Sequence, residues 1–401
     1  GDAGYGIDVD ALGNVFITGN FADTVDFDPG VGTSDLISSG STVDIFFAKY
    51  DSTGNYVWAK KIGGGAFGDR AYDLELDELG NVIIVGSFDG TVDFNPGAAT
   101  NNLTGSGING YFAKYDSTGN YIWAKKIGSS GGNTIEDLDL DTAGSVYILG
   151  RFSSTVDFDP GTGTANLTSA GSNDICFGKY DSNGNYVFAK RMGTANLDGL
   201  NGITVDAHGN VFLTGGANNS LDFDPGSGTA YISITGPTDI IFAKYDTIGN
   251  FVWVNNFGGT SGETSNAIFV DDSGSVFLTG IFQATADFEA GTGTTNLTSA
   301  GMFDFFISKY RDNPLSSVSN HLSKEFTFSV YPNPFTSTVT INSNVTGQTS
   351  LILTDVLGQI VYTGQLQNGN NEINFGAFQS GIYFLQLHTK AGIVTKIIVK
   401  E

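Results

Sequence analysis

FFAKYDSTGNYVWAKKIG, from Phe46 to Gly63, returns almost unchanged as YFAKYDSTGNYIWAKKIG from Tyr111 to Gly128. The same element, more loosely kept, places Tyr50, Tyr115, Tyr180, Tyr245 and Tyr310 at intervals of 65. Two further markers share that period. GNVFITG at Gly13 recurs at Gly80, Gly144, Gly209 and Gly274, and VDFDPG at Val25 recurs at Val92, Val156, Leu221 and Ala286. Five copies of one unit therefore fill residues 1–311, and the period of about 65 is the first constraint on the fold.

Each copy reads as two hairpins. Ile7-Asp8-Val9-Asp10 alternates apolar and polar, Leu12-Gly13-Asn14 supplies a turn, and Val15 to Phe21 is rich in β-branched and aromatic residues. Ile45–Tyr50 and Tyr56–Lys60 make the second pair, joined by Asp51-Ser52-Thr53-Gly54-Asn55, where Gly and Asn tolerate positive φ. Strands such as Ile45-Phe46-Phe47-Ala48 are apolar on both faces, so each four-stranded antiparallel sheet is expected to be covered on both sides. Radially stacked sheets, the β-propeller, satisfy that demand. The aromatic strand marked by Trp58, Trp123, Phe188 and Trp253 occurs four times and the other strands five. The simplest reading is a five-bladed ring completed by a strand upstream of Gly1; a larger ring with further upstream repeats is the alternative.

Composition narrows the function. The 401 residues carry 42 acidic and 18 basic side chains, a formal net charge of −24, which disfavours nucleic acid and anionic membranes as partners and favours cations. One cysteine, Cys176, excludes an internal disulfide, and three scattered histidines exclude a zinc site of ordinary spacing. Cys176 replaces Phe46 in the repeat alignment and reads as a small buried apolar residue. With no charged-then-apolar leader at Gly1, the chain reads as processed or cut.

The hairpin elements of Gly1 to Arg311 resemble the Bacteroidetes SBBP-type β-propeller repeat proteins. Beyond them, RDNPLSSVSNHLSKE reads as a linker over 312–325, and residues 326–401 hold about seven short β-rich runs, the rhythm of a small immunoglobulin-like β-sandwich. There Tyr331-Pro332-Asn333-Pro334-Phe335, Asp355 with Gly358, Gly381-Ile382-Tyr383 and Lys396 near the end are similar to the type A sorting domain of the type IX secretion system. That resemblance implies export across the outer membrane to the cell surface or medium. It also implies three partners: the translocon, a shuttle protein and a sortase that removes the domain. The fold class is therefore all-β: a five-repeat β-propeller followed by a small sandwich.

Candidate sites are few. In VDFDPG the carboxylates alternate with apolar anchors, so Asp26, Asp28, Asp93, Asp157, Asp159, Asp222, Asp224 and Asp287 form a ring on one face that suits Ca²⁺; the alternative is that Asp28-Pro29-Gly30 is a turn capped by its own aspartate. Strand parity places this ring opposite the Leu12-Gly13-Asn14 and Ser52-Thr53-Gly54 turns, unless an extra strand forms in the long connection. Lys49, Lys114, Lys179, Lys244 and Lys309 read as partners of nearby carboxylates, and the Trp58 series as packing between repeats. Repeat symmetry offers no unlike acid and base, so the expected role is a surface or secreted binding protein for glycan or protein, not an enzyme. An exported polysaccharide hydrolase or lyase is the alternative.

Overall fold

The computed structural model describes all residues except 41, 65–67, 129–130, 196–198, 218–220, 272, 291–292, 312–327, 344–348, 356–358 and 390–391. The expected linker, residues 312–325, lies wholly outside the described residues. Strands make up all regular structure among the described residues, and the chain separates into two bodies, Gly1–Leu315 and Ser316–Glu401.

In the first body each of repeats 1 to 4 builds an antiparallel sheet in which the first, second, third and fourth strands lie side by side in chain order. Repeat 1 uses Ala3–Val9, Val15–Phe21, Asp44–Tyr50 and Tyr56–Ile62. The turns between paired strands close on an aspartate. Asp51 Oδ1 accepts the N–H groups of Thr53 and Asn55, at 2.9 Å each, and Gly54 sits at φ 84°, a left-handed conformation that glycine adopts without steric cost. Repeat 5 has only three described strands, Thr264–Val270, Ser275–Phe282 and Asp304–Arg311.

The sheets pack face to face through apolar residues of the third strand. Phe47 stacks on Tyr115 of the next repeat, Phe112 on Tyr180, Phe177 on Tyr245 and Phe242 on Tyr310, with ring centroids 4.5 to 4.9 Å apart. These rings join the second-strand and first-strand apolar residues in continuous clusters that span neighbouring repeats. Burying each ring contributes about 2 kcal/mol, so the junctions hold the body together. The first strands of successive repeats lie against one another from repeat 1 to repeat 5.

The two ends of this series are open. Phe305 and Ile307 on the third strand of repeat 5 are 80% and 71% exposed, while their respective counterparts in repeat 1, Ile45 and Phe47, are fully buried. On repeat 1, Ile7 is 66% exposed, whereas its counterpart Leu74 is 1% exposed. Among the described residues, no packing comparable to that of consecutive repeats joins the first strands of repeats 1 and 5.

The long connection between second and third strands contains a small extra hairpin, Thr24–Asp26 paired with Asp35–Ile37 in repeat 1, with equivalents in repeats 2, 3 and 5. This corrects the parity expectation. The extra hairpin reverses the chain, so Asp28-Pro29-Gly30 comes to lie beside Gly54-Asn55-Tyr56 and the two together line a cavity of about 320 Å³. Gly13 and Ser52 neighbour each other at the same end of the sheet, so the VDFDPG turn shares a face with the hairpin turns. The recurring tyrosine fixes this arrangement. The hydroxyls of Tyr50, Tyr115, Tyr180, Tyr245 and Tyr310 donate to the carbonyls of Phe27, Phe94, Phe158, Phe223 and Phe288 at 2.9 to 3.0 Å.

The second body has a three-stranded sheet (Phe328–Tyr331, Thr338–Ser343, Gly369–Asn374) and a four-stranded sheet (Ile360–Leu366, Thr349–Thr354, Gly381–Thr389, Gly392–Lys400) sharing one core around Val339, Ile341, Leu351, Leu385 and Phe375.

Candidate functional site

The first strands converge on a cavity of about 470 Å³ lined by all five repeats. Counting back from the turn aspartates Asp10, Asp77, Asp141, Asp206 and Asp271, the residue two before is Asp8, Glu75, Asp139, Thr204 or Phe269. Four before, it is Gly6, Asp73, Asp137, Gly202 or Ala267. A β-bulge in the first strand, described in repeats 1, 2, 3 and 5, sits just outside these positions, so both point to the same face, as residues two apart on a strand must. Carboxylates thus gather on repeats 1 to 3, and Thr204, Ala267 and Phe269 face them from repeats 4 and 5.

Most of these acids are tied to the next repeat. Asp8 Oδ2 accepts the N–H of Leu76 at 2.9 Å, Asp73 Oδ2 that of Leu138 at 3.2 Å, and Asp137 Oδ2 that of Ile203 at 2.7 Å. Asp139 Oδ2 accepts both the Val205 N–H at 2.8 Å and the Thr204 hydroxyl at 2.7 Å. The first strand is the inner edge of each sheet, so its outward N–H groups lack ladder partners and the neighbouring carboxylate supplies them. At the last junction an amide takes over, Asn201 Nδ2 donating to the Ser265 carbonyl at 2.8 Å.

Desolvation dominates the acid–base character of the cavity. Burial, reinforced by Asp8, Asp139 and Asp73, pushes Glu75 up to about 10, so it is a neutral acid at neutral pH. Burial also raises Asp73, Asp137 and Asp139 despite their backbone hydrogen bonds. Two acids at repeat junctions behave alike: Asp69, beside Asp44, and Glu263, beside Asp239, are each raised by burial to about 7.

The carboxylates singled out in the sequence sit elsewhere. Asp26 Oδ1 accepts the N–H groups of Asp28 and Ser34, and Asp28 Oδ1 that of Gly30. The same caps recur at Asp93, at Asp157 with Asp159, at Asp222 with Asp224, and at Asp287. Hydrogen bonds from Ser34 and Asp28 hold Asp26 below the usual carboxylate range. Among the described residues, no group of three His, Cys, Asp or Glu side chains is disposed to hold a metal ion.

The lysines pair as expected, each with the turn aspartate of its own repeat: Lys49–Asp10, Lys114–Asp77, Lys179–Asp141, Lys244–Asp206 and Lys309–Asp271, at 2.8 to 3.8 Å. Trp58 meets Phe16 and Phe47 edge-on, and Cys176 is buried.

In the second body the signal motif is built around the last strand. Asn333 Oδ1 accepts the Val399 N–H at 2.8 Å, the Phe335 N–H donates to the Val399 carbonyl at 2.9 Å, and the Phe335 ring is buried in the core. Pro332 and Pro334 flank Asn333 at the surface. Asp355 caps the N–H of Gln359, and Tyr383 is buried with its hydroxyl donating to the Gln379 carbonyl. Tyr331, Ile382 and Lys396 are exposed, as is Gly381, and Gly358 lies outside the described residues.

Residues 329–401 match the secretion system C-terminal sorting domain family. This type IX sorting signal marks the chain for export across the outer membrane to the cell surface or the medium, and implies interaction with the type IX secretion machinery. The chain is 26% identical over 238 residues to an uncharacterized WD repeat-containing protein, L264, of Acanthamoeba polyphaga mimivirus, covering 52% of this chain and 17% of that protein. It is also 26% identical over 168 residues to the regulatory protein FlaEY of Caulobacter vibrioides, covering 42% of this chain and 17% of that protein. The chain thus spans about a sixth of the length of these relatives. Among solved structures it is similar to PorZ, a surface component of the type-IX secretion system of Porphyromonas gingivalis, at 13% identity over 100% of this chain and 75% of that one, with a TM-score of 0.18. Dimeric latent PorU of the same organism follows at 10% identity, covering 91% and 32%, with a TM-score of 0.16. Values this low do not equate the folds.

Proposed function

We propose that residues 1–311 are the five repeats of a β-propeller of the SBBP type, and that the protein is an exported surface or secreted binding protein. The small sandwich of residues 326–401 is its export signal, read by translocon, shuttle protein and sortase. The propeller reading is supported by the first strands of all five repeats lining one cavity.

One observation carries the binding role. Residues repeated in every unit are consumed by the scaffold, as turn caps, lysine partners or tyrosine props, whereas the residues that differ between units meet in the central cavity. Its oxygens suit hydroxyl-rich or cationic groups, so a glycan or a basic segment of a surface protein is the expected ligand. Glycan-array binding by the intact chain tests this, with Phe269→Asp, which alters the cavity wall, expected to abolish or redirect the signal. Retention of the full binding pattern by that variant would remove the cavity from the proposal. Deleting residues 326–401 is expected to leave the passenger in the periplasm; normal surface delivery of the truncated chain would overturn the export role.

A second reading, a polysaccharide hydrolase or lyase, draws on Glu75 and Asp8. A neutral acid hydrogen-bonded to another carboxyl group is the environment in which acid and base roles separate. Turnover of any polysaccharide, lost in Glu75→Gln, would favour it over simple binding.

A further inference from the structure

In repeats 1 to 4 the third strand opens on a buried polar residue at the junction with the next repeat: Asp44, Asn109, Asp174 and Asp239. On the fourth strand beside it, one position is held in turn by Lys61, Lys126, Arg191 and Asn256, each opposite the third residue of the third strand. Charge is matched in the first three repeats. Lys61 Nζ lies 3.3 Å from Asp44 Oδ2, and Arg191 donates to Asp174 Oδ2 at 2.6 Å. Where the acid gives way to Asn109, Lys126 donates instead to the Thr104 carbonyl at 3.0 Å.

Repeat 4 breaks the match. Asp239 keeps the acid, but Asn256 stands in the place of the cation and gives Asp239 Oδ2 only an amide, at 2.9 Å. The junction also gains a second acid. Glu263 holds the position of Asp69 and Asn133, the N–H groups of all three donating to the residue before the third strand: Thr238, Val43 and Ile108. Asp239 accepts further N–H groups from Thr235 at 3.3 Å and Gly236 at 3.5 Å, and Glu263 Oε2 that of Gly259 at 3.1 Å. Glu263 Oε1 accepts none, although the residue is only 1% exposed. The two carboxyl groups face one place, since a Cβ on Gly258 would stand 2.9 Å from both Asp239 Oδ1 and Glu263 Oε2.

Burial, with Asp239 beside it, raises Glu263 to about 7, so a proton can neutralise one acid of the pair. Asp44 and Asp69 form the same kind of pair, with Asp69 also raised to about 7, and there Lys61 adds a positive charge. Among the described residues no ion pair reaches Asp239 or Glu263, and every Lys and Arg of residues 1–311 is described. The junction of repeats 4 and 5 is therefore one positive charge short of its counterpart, in an interior where an unpaired charge is costly.

We propose that a monovalent alkali cation binds at this junction, between Asp239 and Glu263, and supplies the charge that Lys61 supplies in repeat 1. Two carboxyl groups with no third acid, histidine or cysteine beside them suit a single charge better than Ca²⁺ or a transition metal. The heads of Lys61 and Arg191 are about a third exposed, so the equivalent place in repeat 4 is open to an ion from solvent. The junction shares no lining residue with the central cavity, so failure here would leave the binding role untouched.

The test is thermal unfolding of the intact chain at fixed pH, with chelator present throughout. Sodium or potassium chloride is expected to raise the melting temperature by a few degrees over choline chloride of equal ionic strength, and to do so saturably. Asn256→Lys, which returns the side chain of repeat 1, is expected to raise the melting temperature in choline chloride and to remove the difference between salts. Asp239→Asn combined with Glu263→Gln copies the neutral Asn109 and Asn133 junction and is expected to remove it as well, so the test stands if the first variant fails to fold. Equal melting in all three salts would overturn the proposal, as would a salt difference that survives in a folded variant. A response to micromolar Ca²⁺ in place of the alkali salts, or to pH alone, would overturn it too, making a divalent ion or a second proton the occupant.

Discussion

Asp116 and Glu75 belong to the same repeat and lie at opposite ends of the acidity scale. Asp116 closes a hairpin turn at the surface. Desolvation is outweighed there by hydrogen bonds from Asn120 and Thr118, which hold its carboxyl down to about 2. Glu75 faces the cavity among other acids and is pushed up to about 10. Surface turns stabilise the charged form and the interior disfavours it, so the large net negative charge does not describe any one site. The contrast also separates scaffold from candidate site: the turn acids of the Asp116 series recur in four repeats and those of the Asp10 series in all five, while cavity acids stop after repeat 3.

The largest test of this contrast is Asp139→Ala. It strands the Val205 N–H and the Thr204 hydroxyl in the interior, an expected loss of about 2 to 4 kcal/mol in denaturant unfolding. A loss below about 0.5 kcal/mol would mean that the cavity acids are not structural ties. Next comes pH. Because Glu75 in the folded chain keeps its proton to about 10 while the unfolded chain releases it near the ordinary 4.5, the folded state is favoured at low pH, and stability falls as pH rises between those values. Asp69 and Glu263, raised to about 7, add to the fall up to neutrality. The melting temperature is therefore expected to drop from pH 5 to pH 9, and Glu75→Gln to flatten that drop; an unchanged slope in the variant would place the titration elsewhere.

The turn acids give smaller effects of opposite sign. Asp116 contributes stability above the ordinary value of 3.8, lost as pH falls towards 2, and Asp116→Ala is expected to cost less than about 1 kcal/mol because the turn lies at the surface. The smallest expected effect is that of Ca²⁺. A site occupied at a hundred times its Kd would add about 2.7 kcal/mol, yet Asp26, Asp28 and their counterparts are engaged as backbone caps, so a change from chelator to millimolar Ca²⁺ is expected to leave the melting temperature nearly constant. A rise of several degrees that ionic strength does not reproduce would give these aspartates back the cation role that their pattern suggests.

Much of this was open to reading from the chain alone. A period of 65, the turn chemistry of Asp51 to Asn55, the partnering of Lys49 and the export motif from Tyr331 to Phe335 all depend on neighbours in sequence or on repetition, which a sequence displays directly. The VDFDPG face was misjudged because three-residue strands such as Thr24–Asp26 carry too little pattern to announce the hairpin that reverses the connection. The cavity acids were missed for a different reason. Asp8 and Glu75 look like the polar half of an ordinary alternating strand, and only aligning the five first strands exposes their departure from symmetry. Alternation states that a side chain leaves the apolar face; whether it then meets water or four other carboxyl groups depends on which sheets stand side by side. Local hydrogen bonding therefore determined the repeated sheets, their turns and the signal motif, while long-range packing alone decided where the acids meet and in which direction burial moves their pKa values.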